Sequence, residues 1–141
     1  MYKVIYASKG GKTAKVADTI AKAIGVQAEA VDAAGKMENV EVLFVGSGIY
    51  AGNIDQALLA FLKELPEEQI KKVAFFTTSA MQKNQSAVEE VGNILTEKGI
   101  PLSKEVYNGK GRFLFINRKH PNAEDLQAAE VFAKKTIATH D

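Results

Sequence analysis

Residues 6–15 read YASKGGKTAK, and the residue types in this stretch suit one kind of chemistry. A short apolar strand runs directly into Ser8, Lys9, Gly10, Gly11, Lys12 and Thr13. Two adjacent glycines permit a tight turn. A helix starting here would present its first backbone N–H groups and its positive end, with the Ser8 and Thr13 hydroxyls beside them. Such a donor set suits a single phosphate monoester. A Walker A loop is excluded, because it needs a further glycine with four residues between it and Gly11. That position is Tyr6, inside the strand. No G-x-G-x-x-G dinucleotide fingerprint is present either. A Gly-rich strand-to-helix turn that holds no ligand is the alternative, and this stretch alone leaves it open.

The rest of the composition narrows the chemistry further. The chain has no cysteine, which excludes disulfides, thiolate metal sites, iron–sulfur ligation and a cysteine nucleophile. No acid–base constellation of the kind a hydrolase needs is visible. A receiver domain with an acidic cluster is disfavoured, since no Asp pair follows the first strand and no Asp ends the third. At 141 residues one domain, 1–141, is expected. Apolar content of 46% and charged content of 25% are ordinary for a soluble globular protein. No stretch approaches the ~20 apolar residues of a membrane span. MYKVIYAS at the start reads as a strand rather than a signal peptide, so the expected location is cytoplasmic. A net charge of +1 carries no nucleic-acid or membrane signature.

Positioning such a loop requires a strand before it and a helix after it, and that unit recurs along the chain. YKVIYA (2–7), VEVLFVG (40–46) and KKVAFFTT (71–78) are near-continuously apolar, as strands covered on both faces are. VQAEAVD (26–32) alternates and reads as an edge strand. A fifth strand is expected within 102–107, with FLFI (113–116) as a rival or extension. Between them lie helical faces: Val16, Ala17, Ile20, Ala21 and Ile24; Ile54, Leu58, Phe61, Leu62 and Leu65; Val88, Val91, Ile94 and Leu95; Leu126, Ala129, Phe132, Ala133 and Ile137. Gly25 follows the first helix, Gly99 and Pro101 stop the third, Ser86 with Glu89 suggests a capping box, and Asn122 suits the N-cap of the last. Alternating strands and helices predict a parallel α/β sheet with helices on both faces. In such a sheet ligands bind beyond the carboxyl ends of the strands. This places a candidate site at residues 8–13, 46–53, 78–85 and 107–121.

YASKGGKTAKVADTIAKAIG resembles the first strand–helix unit of flavodoxins, whose loop has the pattern S/T-x-T-G-x-T. Ser8, Gly11 and Thr13 match it; Gly10 stands where the family usually has Thr, and Lys12 where it often has Asn. VLFVGSGIYAGNID resembles the strand and loop that lie against the flavin, and GRFLFINRKHPNAEDLQAAEVFAKK the C-terminal part of short flavodoxins. The resemblance covers essentially the whole chain. It implies a flavodoxin-like three-layer fold with a five-stranded parallel sheet in order 2-1-3-4-5, bound FMN and one-electron transfer. Ser8, Lys9, Gly10, Gly11, Lys12 and Thr13 would then hold the ribityl phosphate. Gly48, Ile49, Tyr50, Ala51 and Gly52 would form the first flavin loop. Tyr50 is its only aromatic residue, with a flat face that suits stacking on the isoalloxazine or, otherwise, capping of the sheet end. Glycines beside Tyr50 would let a peptide carbonyl turn toward the ring.

The second flavin loop would be TTSAMQKNQ (77–85), which lacks the tyrosine the family often carries there. Thr78 and Ser79 would face the pyrimidine edge, beside Ala80, and Met81 would cover the ring edge or serve as a core residue. The chain also lacks the acidic character of many flavodoxins. Five basic residues, Lys104, Lys110, Arg112, Arg118 and Lys119, stand against Glu105 over residues 104–120, a net of +4. If that segment borders the flavin, it implies a less negative potential and redox partner proteins with acidic docking surfaces. A solvated basic face is the alternative. The principal functional reading is an electron carrier. The others are an FMN-dependent oxidoreductase, such as a quinone reductase or a protoporphyrinogen-oxidase-like enzyme, and a flavin-free interaction domain.

Overall fold

Continuous apolar runs become central strands here, and the helical stripes pack on either side of them. A computed structural model describes residues 1–50, 53–79, 85–110 and 122–138. In chain order the elements are β1 (Tyr2–Ala7), α1 (Lys12–Ala23), β2 (Ala28–Ala30), β3 (Val42–Tyr50) and β4 (Asn53–Ile54). They continue with α2 (Gln56–Lys63), β5 (Val73–Ser79), α3 (Gln85–Lys98), β6 (Leu102–Lys110) and α4 (Ala123–Ala138). The sheet order is β2-β1-β3-β5-β6, with every neighbouring pair parallel. Counting the parallel strands alone, this is the expected order 2-1-3-4-5. The addition is β4, a two-residue strand that folds back antiparallel on the end of β3.

Strand residues point alternately to the two faces, so each strand feeds two cores. Ile5, Leu43, Val45, Val73 and Phe75 pack with Leu58 and Leu62 of α2 and Val91 and Leu95 of α3. Val4, Phe44, Ala74, Phe76 and Tyr107 pack with Val16 and Ile20 of α1 and Ala129 and Phe132 of α4. Phe132 meets the Phe44 ring edge-on at 5.7 Å. Gly46 belongs to the same face and is level with Phe76 on β5. A Cβ at Gly46 would come within 2.5 Å of three carbons of the Phe76 ring, so glycine leaves the room that ring occupies.

Helix ends follow local chemistry. Gly25 and Gly99 adopt φ of 76° and 74°. In each case the following N–H reaches back five residues, Val26 to the Ala21 carbonyl and Ile100 to the Leu95 carbonyl, both at 2.9 Å. These are Schellman ends, which need a residue tolerant of positive φ. Asn122 and Asp125 cap α4 reciprocally: Asp125 N–H donates to Asn122 Oδ1 at 3.0 Å, and Asn122 N–H to Asp125 Oδ2 at 2.9 Å.

Four local expectations change. Residues 26–32 yield only a three-residue strand, because Val31–Ala33 winds into a 3₁₀ turn. Ile54 is not on α2 but in β4; Asp55 caps the helix by accepting the Ala57 N–H at 2.9 Å. Ser86 lies inside α3, which starts at Gln85, and so it is not that helix's N-cap. The fifth parallel strand runs on to Lys110. FLFI (113–116) lies outside the described residues.

Candidate functional site

The first turn of α1 is built as a set of outward-facing donors. Gly11 is its N-cap in the left-handed region, with φ 83°. A Cβ there would meet nothing within 4 Å, so it is the backbone angle that calls for glycine. Ser8 Oγ closes the turn by accepting the Gly11 N–H at 3.1 Å. Lys15 N–H bonds the Gly11 carbonyl at 3.1 Å and starts the helical ladder. The N–H groups of Lys12, Thr13 and Ala14 precede that ladder and have no intrahelical acceptor. They also have no backbone acceptor among the described residues. No acidic residue occupies the first turn, and Lys12 is part of it. Lys9, Gly10 and Gly11 are exposed. Unused donors, a positive helix end and nearby lysines fit an oxyanion.

Thr13 has a divided role. Its residue is 1% exposed, and its hydroxyl lies 2.7 Å from the Thr78 hydroxyl. Its backbone N–H therefore faces the loop while its side chain faces the sheet. Thr78 is equally withdrawn, at 4% exposed. Its hydroxyl points to α1, on the side of Phe76.

At the end of β3, Gly48, Ile49 and Tyr50 continue the strand, and Ile49 pairs with Ile54 while Tyr50 pairs with Asn53. Gly48 is thus held in a strand, and its carbonyl accepts the Ser47 hydroxyl at 2.6 Å. Ser47 Oγ also accepts the Asp55 N–H at 3.0 Å. One buried hydroxyl therefore fastens the end of β3 to the start of α2. The Tyr50 side chain, Ala51 and Gly52 lie outside what the structure describes. Thr78 and Ser79 end β5 alongside Gly109 and Lys110 of β6. Thr77, fully buried, donates to Asn108 Oδ1 at 3.0 Å across the two strands. Ala80 and Met81 lie outside the described residues, as do Arg112, Arg118, Lys119 and His120.

The basic segment is less concentrated than its sequence suggests. Lys104 lies six residues before Lys110 on β6, roughly 20 Å away at strand rise. It belongs to the amino half of the strand, where its neighbour Glu105 pairs with Lys135 at 3.6 Å. It does not contribute to the rim of the carboxyl-end site. A cavity of about 230 Å³ between α1 and β2, lined by Asp18, Lys22 and Gln27, is also remote from the loop at 8–13. Among the described residues no group of three His, Asp or Glu is placed to hold a metal, and no helix is long and apolar enough to cross a membrane.

Ser47, Asp55, Thr77 and Asn108 lie inside stretches that the sequence singles out, but without a role of their own there. The available signal was a polar residue at the end of an apolar run, as in FVGS and FFTT. Hydroxyls at strand ends in an otherwise apolar face usually bond something specific.

The family model for the flavodoxin domain matches residues 3–113. The chain belongs to the flavodoxin family. It is 30% identical to an uncharacterised protein of Methanocaldococcus jannaschii, over 97% of this chain and 95% of that one. Its fold matches a flavodoxin from the domain Archaea with a TM-score of 0.74 at 18% identity, covering 97% and 96% of the two chains. It matches oxidised flavodoxin 1 of Bacillus cereus with the same TM-score and identity, covering 99% of each. At that identity the structural matches speak to the fold. Flavodoxin membership accounts for the strand order.

Proposed function

We propose that this flavodoxin-family chain binds FMN and serves as a one-electron carrier. The observation that carries this reading is the first turn of α1. Three backbone N–H groups without a backbone acceptor among the described residues stand behind a left-handed glycine, in a turn free of acidic residues. That arrangement suits the phosphate of a flavin mononucleotide. Bound FMN would supply reversible one-electron chemistry at its ring, and the protein supplies binding, orientation and electrostatics.

Lys12, Thr13 and Ala14 would hold the phosphate through their N–H groups, with Ser8 shaping the turn. Lys9 and Lys12 would add a smaller, salt-screened attraction, since lysine charges that reach water contribute little individually. Ser47 holds Gly48 in a fixed strand end, so the first flavin loop springs from a rigid base. Thr77 and Asn108 do the same at the adjoining ends of β5 and β6. Tyr50, the last residue of β3, would supply an aromatic ring for the isoalloxazine. Redox partners with acidic surfaces suit an end bearing Lys9, Lys12 and Lys15.

The test is the visible spectrum of the freshly purified protein, followed by FMN titration of protein stripped of flavin. Oxidised-flavin bands, or quenching of FMN fluorescence on titration, are the expected results. A colourless protein that leaves FMN fluorescence unchanged at high micromolar concentration would refute the assignment.

A further inference from the structure

Thr13 and Thr78 are 65 positions apart, yet their hydroxyls meet at 2.7 Å with both residues buried. Their chain neighbours on the same face, Val16 and Ala17 on α1 and Phe76 on β5, belong to the apolar core there. Two valines would fill comparable volume there, so the hydroxyls add direction rather than area. The loop they anchor runs through two adjacent glycines. Cβ atoms at Gly10 and Gly11 would meet nothing within 4 Å, so side-chain packing does not brace the turn on that side. The Ser8 to Gly11 bond is local and moves with the turn. Val16, one turn further along α1, supplies an apolar tertiary anchor.

We infer that Thr78 is a positioning residue for the phosphate loop: its hydroxyl pins the first turn of α1 to the carboxyl end of β5, and so fixes where the Lys12, Thr13 and Ala14 N–H groups point. This gives the Thr78 hydroxyl a role toward the phosphate, acting through Thr13, instead of a contact with the flavin's pyrimidine edge. The inference rests on the FMN reading above. Replacing Thr78 by Val keeps the volume but leaves the Thr13 hydroxyl buried without its partner, which favours displacement of the first turn. Replacing it by Ser keeps the hydroxyl.

The experiment compares wild type, Thr78→Val and Thr78→Ser. It measures affinity for FMN and for riboflavin, which lacks the phosphate. It also measures amide exchange of Lys15 in the flavin-free protein, whose N–H bonds the Gly11 carbonyl. In Thr78→Val, FMN affinity should fall about tenfold, while riboflavin affinity changes by less than about twofold, as expected for one lost hydrogen bond acting on the phosphate end. Lys15 exchange should accelerate in the same variant. Thr78→Ser should restore both readouts to near wild type. The inference is overturned if Thr78→Val binds FMN like wild type, or loses FMN and riboflavin equally, or leaves Lys15 exchange unchanged. If Thr78→Val does not fold, Thr13→Val breaks the same bond from the other side and carries the same expectations. Wild-type protein that binds neither flavin would instead overturn the FMN assignment, an outcome distinct from failure of the variant alone.

Discussion

Substituting Gly46 tests how β3 reaches the site. Gly46 is in register with Phe76 on the neighbouring strand, and both belong to the layer between the sheet and α1/α4. A methyl group at position 46 would meet three carbons of the Phe76 ring at under 3.0 Å, a separation real Cβ atoms essentially never show. The ring cannot swing into solvent, because Phe76 is fully buried. Nor can the backbone separate without breaking the β3–β5 ladder. Overpacking of this kind costs about 1–3 kcal/mol, and the lack of an escape route puts Gly46→Ala near 3 kcal/mol. That is a large share of the ~5–15 kcal/mol that holds a domain together. In urea, with a slope of ~1.5 kcal/mol/M, the midpoint should drop by about 2 M with the slope unchanged. Phe76→Leu removes the ring atoms that clash. In that background Gly46→Ala should cost at least ~1 kcal/mol less, a coupling within the range seen for touching residues. Equal costs in the two backgrounds, or no midpoint shift, would show that the close approach does not govern the choice of glycine.

Two further predictions concern hydroxyls that tie strands to helices. Tyr107 donates to the Asp125 carbonyl at 2.8 Å, and its hydroxyl pKa is pushed up to about 12, first by burial and then by the Asp125 carboxylate. Because the folded value lies above the ordinary value of 10.0, this group's contribution is intact below pH 10 and is lost as pH rises toward 12. The loss is on the order of 2–3 kcal/mol. Urea unfolding of wild type and Tyr107→Phe between pH 9 and 12 should converge as pH rises; parallel curves would contradict it. Ser47→Ala removes the bond to the Gly48 carbonyl and the acceptor for the Asp55 N–H. It should cost about 1–3 kcal/mol of stability and weaken FMN binding through the loosened loop. Calorimetry with a parallel flavin titration checks both, and unchanged values would show that water replaces the serine.

Much of the architecture was legible in the sequence because it depends on residues a few positions apart. Apolar runs in β1, β3 and β5, the glycines at 25 and 99, and the Asn122–Asp125 cap all act through one turn or one strand. Ligand-bearing loops follow from topology once the strand order is known. Local pattern was least informative where two elements share a residue. Ile54 fits the apolar stripe of α2 by spacing, but cross-strand pairing with Ile49 draws it into β4. Lys104 and Lys110 are close in sequence, but an extended strand holds them far apart. The hydroxyl partners were decided only by the fold. A buried Thr or Ser must find a hydrogen bond, yet nothing within five residues of Thr13 says that its partner is Thr78. Nor does anything near Ser47 say that it will hold the start of α2. Those choices depend on which strand and helix ends the parallel sheet brings together, and that register is set by packing across the whole core.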